Sequence, residues 1–203
     1  MIFLEANHLE NFRAFWHLCY YFPKSRDEFY SAKLLDFKNG EEEAIQFWID
    51  WVEHDFINEI YDTIRFGLIV RVLGHDELEV TEDKPLDQIG EIIADVKGSL
   101  YEPKVLGKKR ANKKLSFTVG IEERQAAMED NYYLADEEFQ DYADNVLIID
   151  DIKTSGTSLL AVQETLLEAG FSGRIYGFSL GLTEGSDLTK NDDIEVPELD
   201  DEL

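Results

Sequence analysis

With 203 residues, 44% of them hydrophobic and 12% aromatic, the chain can bury a sizeable core, so its 44 acids against 19 bases describe surface and tails, not wholesale disorder. A formal charge of −25 disfavours direct nucleic-acid binding, because a phosphate backbone would be repelled. Cys19 stands alone, which rules out an internal disulfide and a cysteine-cluster zinc site; with no apolar run of spanning length and no cleavable leader, a cytoplasmic protein that does not engage membrane is expected.

Residues 1–62 read as mostly helical. In "EEEAIQFWIDWVEHDFINEIY", Ala44, Trp48, Trp51, Val52 and Ile60 recur at helical spacing behind three acids at the dipole-favoured start. Such a bulky stripe is packing sequence, and His8, His17 and His54 show no metal-like pairing with carboxylates. From Phe66 the pattern changes. "FGLIVRVL" predicts a strand, "PLDQIGEIIADVKG" a helix with Pro85 in its first turn and Gly98 beyond its end, and "PKVL" a further short strand.

The segment from Pro103 to Gly120 contains no acid, yet Lys104, Lys108, Lys109, Arg110, Lys113 and Lys114 supply six of the 19 bases. A basic run in so acidic a chain either neutralises neighbouring acids as a solvated loop or serves an anionic ligand.

The stretch "NVLIIDDIKTSGTSLLAVQETLLEAG" carries the most chemistry. Val146 to Ile149 form an unbroken apolar run suited to a strand buried on both faces. From Leu159 the apolar residues fall at helical spacing to Gly170, a C′ glycine. Between them Thr154, Ser155, Thr157 and Ser158 surround Gly156, so the loop can wrap closely around something small. A strand, a small-residue loop and a helix N-terminus form an anion site, because unpaired backbone N–H groups point at the loop. A phosphate monoester fits there. Asp150 and Asp151 would repel a bare phosphate, which suits them to sugar hydroxyls or to a cation about one ribose away. The composite is a sugar-phosphate pocket; the plainer alternative is a buried strand before an ordinary helix whose hydroxyls act only as N-caps. A response-regulator receiver also opens on a strand with paired acids, but too few residues follow Asp150 to complete one.

In "RIYGFSLGL" the bulky Tyr176, Phe178, Leu180 and Leu182 alternate with Gly177, Ser179 and Gly181, a bare face on which close helix packing is expected. The expected organisation is an N-terminal helical region over 1–62, in the same domain or forming a hood, an α/β core over 63–183, and a solvated acidic tail over 184–203. Strands alternating with helices imply an α/β fold with an open, mainly parallel sheet flanked by helices, whose ligands bind beyond the carboxyl ends of the strands.

"VLIIDDIKTSGTS" resembles the phosphoribosyl pyrophosphate (PRPP) motif of the type I phosphoribosyltransferases. The resemblance implies that Asp150 and Asp151 hold the ribose hydroxyls and that Thr154, Ser155, Gly156, Thr157 and Ser158 cradle the 5′-phosphate. Beyond that motif the order of features is similar to the ComF-like branch. "SAKLLDFKNGEEEAIQFW" looks like its Lys-containing turn before a helix, "FGLIVRVL" like its first sheet strand, and "IEERQAAMEDNYYL" like the Arg-to-Asn segment before the PRPP strand. Two departures stand out. The zinc ribbon often found at the start of that branch is absent, and "GHDELEVTEDKP" follows the first strand where a basic pyrophosphate loop is usual.

The resemblance implies a glycosyltransferase that displaces pyrophosphate from the ribose C1 with a nitrogen nucleophile. Mg²⁺ would hold the pyrophosphate, with Asp150 and Asp151 touching it indirectly and bridging from Asp76 or Glu77. Lys108, Lys109 and Arg110 would then form a mobile lid over the 107–114 segment, stabilising the leaving charge. The implied partner is a small molecule, PRPP or a nucleotide. A non-catalytic nucleotide-binding module in competence or defence remains open, as does a homodimer or a protein partner docking on the acidic surface.

Overall fold

The computed structural model describes residues 3–5, 12–22, 28–58, 64–81, 83–111, 126, 128–136 and 144–183. The chain order is β1 (Phe3–Glu5), β2 (Ala14–Tyr21), α1 (Phe29–Lys38), α2 (Glu42–Trp51) running on into a π-helical turn (Val52–Ile57), β3 (Leu68–Arg71), α3 (Pro85–Lys97), β4 (Leu100–Tyr101), a short 3₁₀ turn (Pro103–Val105), β5 (Leu106–Lys108), β6 (Tyr132–Leu134), β7 (Asn145–Lys153), α4 (Thr157–Glu168) and β8 (Arg174–Thr183).

Six strands make one sheet in the order β1-β2-β8-β7-β3-β4, and β5 pairs with β6 in a separate antiparallel ribbon. Every pairing in the large sheet is parallel except that of the edge strand β1. The protein is thus an α/β fold with an open, mainly parallel sheet. Among the described residues no helix is long and apolar enough to cross a membrane.

The unbroken apolar runs of β3 and β7 follow from their position, since a central parallel strand is covered on both faces. Leu147 and Ile149 point into a core with Trp16, Trp48, Phe56, Ile89, Ile93 and Phe178, built against α1, α2 and α3. Val146 and Ile148 point the other way, into a core with Val70, Tyr132, Leu159, Val162 and Leu166, beneath α4 and the β5–β6 ribbon. Ile148 and Ile149 are fully buried, worth roughly 1.5–3 kcal/mol each relative to exposure.

Several expectations need correction. The N-terminal region is helical over most of its described residues, but not throughout: β2 lies inside the large sheet, paired along its length with β8, so this region is built into the core. Its run "AFWHLCYY" carries no helical stripe; it is buried at Phe15 through Cys19, the pattern of a covered strand. The "PKVL" segment begins as a 3₁₀ turn at Pro103 and becomes β5 from Leu106, outside the large sheet. The strand expected to end before the acids instead runs through them, and Asp150 pairs with Ser179, Ile152 with Gly181 and Lys153 with Leu182. The bare face of β8 is closely packed as expected, though only partly by a helix: a Cβ at Gly181 would lie 2.6 Å from Leu34 of α1, and one at Gly177 would lie 2.6 Å from the Phe15 ring of β2. Ile60, His8 and the acidic tail over 184–203 lie outside the described residues.

Candidate functional site

Sheet order places the crevice. From β3 the chain passes through α3 to β4 at the edge, whereas from β7 it passes through α4 to β8 on the other side. The two connections diverge with their helices on opposite faces, so the carboxyl ends of β3 and β7 flank a gap in which an open α/β sheet binds its ligands. Asp150 and Asp151 stand on the β7 side of that gap. The loop from Val72 to Glu77 stands on the β3 side, tied to β7 by the Val72 N–H donating to the Ile149 carbonyl at 2.9 Å.

Both acids are half-buried. One Asp150 oxygen accepts from the Asp151 N–H at 2.8 Å, and one Asp151 oxygen accepts from the Ile152 N–H at 2.6 Å. The second Asp151 oxygen meets Lys38 Nζ at 3.1 Å. Burial and the neighbouring Asp151 carboxylate push the Asp150 carboxyl well above its ordinary range, with Lys38 pulling the other way. Burial works against the Lys38 charge, but Asp151 and Asp150 together hold its ammonium above its usual value.

Lys38 reaches the pair because α1 is anchored at several points. The Glu28 carboxylate caps its start, accepting from the Ser31 N–H at 2.6 Å, and the Ser31 hydroxyl accepts from the Phe22 N–H at 2.9 Å. Buried Trp48 of α2 donates its indole N–H to the Lys33 carbonyl at 3.2 Å. These contacts set the last turn of α1 over the carboxyl edge. Sequence reasoning noted a lysine-containing turn in "SAKLLDFKNG" but did not single out Lys38; the signal was the basic residue directly before the Asn39–Gly40 helix stop.

Beyond the acids, Gly156 is the N-cap of α4 with φ 75° and ψ 0°. That left-handed geometry suits glycine and would strain any other residue. As a glycine, the N-cap residue has no side chain to bond the helix start, and the Ser155 and Thr157 hydroxyls bond each other at 2.7 Å. The N-cap position itself thus carries no hydroxyl. Helix geometry leaves the first-turn N–H groups of α4, which follows directly on the acids' strand, without intrahelical partners. Thr157 is buried, whereas Thr154 is exposed and Ser155 and Ser158 are half-buried.

The basic segment is arranged differently from the expected lid. Lys108 belongs to β5 and is 4% exposed; its ammonium donates to the carbonyls of Leu73 at 2.8 Å and Gly74 at 2.7 Å and lies 5.1 Å from the Tyr132 ring centroid. Burial pushes this lysine down to about 8, against the pull of Glu77, Asp150 and Asp76. Lys109 Nζ pairs with Asp130 at 2.6 Å. Arg110 donates to the Glu129 carbonyl at 3.0 Å, and its backbone exchanges hydrogen bonds with the Asn131 side chain. Through Arg110 the segment is thus fastened to the protein, because β5 pairs with β6 and brings Lys109 to Asp130 and Arg110 to the Glu129 carbonyl. Lys113, Lys114 and residues 121–125 and 127 of "IEERQAAMEDNYYL" lie outside the described residues.

On the β3 side, Arg71 is 1% exposed. Its guanidinium meets Glu77 through two bonds, at 2.8 and 3.0 Å, and Asp87 of α3 at 2.6 Å. Burial opposes that charge, but the two carboxylates hold the guanidinium firmly protonated. Glu77 also accepts from the Gly74 N–H at 2.5 Å. Sequence reasoning missed Arg71, reading it as one position of an apolar strand.

Fold and site together define an open α/β domain with a paired-carboxylate and helix-terminus crevice at its carboxyl edge. No protein-family model matches the chain, and no curated protein does so significantly. Among solved structures, the chain is similar to a crystal structure of adenine phosphoribosyltransferase, with 16% identity over 72% of this chain and 82% of that one and a TM-score of 0.40.

Proposed function

We propose that the chain is a phosphoribosyltransferase-like protein that binds the ribose 5-phosphate part of PRPP or of a nucleotide. The carrying observation is the continuous path from Asp150 and Asp151 on the central strand, over left-handed Gly156, to an α4 start whose N-cap is that glycine. The carboxylates accept hydrogen bonds from the ribose 2′ and 3′ hydroxyls, and the phosphate sits on the backbone of Thr154 to Ser158. Lys38 pairs with Asp151 and orients it. The resemblance of "VLIIDDIKTSGTS" to the PRPP motif and the ComF-like order of features support the same reading.

In the transferase form of this reading, phosphoribosyl passes to or from a nitrogenous acceptor with Mg²⁺. The donor set tests that requirement. Among the described residues no three potential ligands cluster, and one of the two crevice acids already holds Lys38. Mg²⁺ would therefore arrive largely coordinated by water and ligand phosphates, with Asp150 or Asp151 meeting its outer shell. When bound it would neutralise pyrophosphate charge. The non-catalytic module is favoured by one observation of its own: Lys108, Lys109 and Arg110, the residues expected to meet a leaving group, are each engaged with protein groups.

Calorimetry with ribose 5-phosphate tests the shared core of both forms. The wild type should bind it, and a folded Gly156→Val variant should not, because a side chain there both strains the turn and blocks the phosphate. Equal affinity in the two proteins would remove the assignment.

A further inference from the structure

The β3 side of the crevice holds an anion of its own. Arg71, Glu77 and Asp87 form a buried network at the carboxyl end of β3, with side chains only 2%, 9% and 5% exposed respectively. Asp87 is fixed by structural partners, accepting from the Tyr101 hydroxyl at 2.5 Å and the Lys84 N–H at 2.6 Å. Tyr101 comes this close because α3 carries Gly90, where a Cβ would lie 2.2 Å from the Tyr101 ring. Asp87 therefore belongs to the packing of α3 on β4.

Glu77 is placed otherwise. It comes from the loop itself, and its two oxygens take both Arg71 terminal nitrogens and the Gly74 N–H. A planar guanidinium fork beside a loop N–H is the donor set that holds a phosphate oxygen, and here a carboxylate of the same chain fills it. The loop is strapped in that state: Lys108 donates from its ammonium to the Leu73 and Gly74 carbonyls and from its backbone N–H to the Leu78 carbonyl at 2.6 Å. The Tyr132 hydroxyl accepts from the Leu73 N–H at 3.2 Å. Asp76, with a 71% exposed side chain, adds a second negative charge at the rim. A pyrophosphate entering here meets carboxylates and spent donors, whereas the β7 side keeps a helix start whose N-cap is a glycine.

We propose that Glu77 is a built-in anion that occupies the Arg71 and Gly74 donors, and that the crevice consequently selects ligands bearing a ribose 5-phosphate without a pyrophosphate at C1, such as a nucleoside monophosphate. This rests on the ribose 5-phosphate reading above and specifies its ligand class. Glu77 is a specificity-determining residue, acting by exclusion.

Calorimetry with PRPP, ribose 5-phosphate and inorganic pyrophosphate, without divalent cation and then with Mg²⁺, tests it in the wild type, Glu77→Ala and the milder Glu77→Gln, each checked for folding by circular dichroism. The wild type should bind ribose 5-phosphate at least as tightly as PRPP and should not bind pyrophosphate. Glu77→Ala should shift the PRPP preference by tenfold or more and gain pyrophosphate binding; should it not fold, Glu77→Gln is expected to shift the preference in the same direction. A wild type preferring PRPP by tenfold, in either condition, overturns the proposal, as does an unchanged preference in a folded variant. If the wild type binds neither sugar phosphate, the ribose 5-phosphate reading falls instead. The pyrophosphate measurement then still decides the role of Glu77: a gain in a folded variant supports it, and no gain overturns it.

Discussion

The two sides of the crevice solve opposite electrostatic problems. On the β7 side, two carboxylates sit next to each other with Lys38 paired to one of them, Asp151, and the charge is left partly uncompensated. On the β3 side, a buried guanidinium is matched by Glu77 and Asp87, and the charge is satisfied internally. A group that is fully paired is costly to remove and unavailable to a ligand; a group that is under-paired costs stability and is ready to bind one. The difference teaches where the fold is held and where it is poised to act.

The largest effect expected from this contrast is at Arg71. Arg71→Met leaves the Glu77 and Asp87 carboxylates buried without their cation, which should cost about 3–5 kcal/mol in chemical denaturation. A loss below about 1 kcal/mol would mean that the two sides differ less than their pairing indicates.

A smaller change of opposite sign is expected at Asp150. Its folded-state pKa lies above its unfolded value, so the folded chain binds the extra proton. The contribution of this group to stability is then greatest at low pH and falls as pH rises from near 4 through the raised value. Asp150→Asn removes that decline. The variant should match the wild type near pH 4.5 and exceed it at pH 8 by about 1 kcal/mol, after allowance for its partial exposure. Thermal melts across that range check the sign; a variant less stable at pH 8 would make the pair structural.

The smallest effect belongs to the basic ribbon. Lys109 pairs with Asp130 with side chains 47% and 79% exposed, and Arg110 reaches an exposed carbonyl contact. Lys109→Ala with Arg110→Ala should change stability by no more than about 0.5 kcal/mol and leave ribose 5-phosphate affinity unaltered. A selective loss of PRPP affinity would restore the lid and undercut the closed β3 side.

Local patterning made much of the fold legible. Pro85 and Gly98 bounded α3 because one lacks an N–H and the other accepts the left-handed cap, found at φ 67°. The apolar run of β7, the small loop and the amphipathic α4 announced a strand, turn and helix from within one continuous stretch. The paired acids and Gly156 were visible for the same reason: their positions follow from neighbours in sequence. β2 was not legible, because a strand covered on both faces has no period to separate it from a buried helix. Nor was the extension of β7 through its acids, which depends on the β8 ladder beside it.

What the sequence by itself determined is the set of pieces: the alternation of strands and helices, the loop with its glycine, and the two adjacent carboxylates. The tertiary structure alone decided which charges meet. It brought Lys38 from the end of α1 onto Asp151, buried Arg71 between Glu77 and Asp87, and turned Lys108 inward onto the Leu73 and Gly74 carbonyls. The reason is that hydrogen-bond propensity and hydrophobic period act between near neighbours, whereas an ion pair forms between whichever groups the sheet order sets side by side, and that order is fixed only when both faces of the sheet are packed.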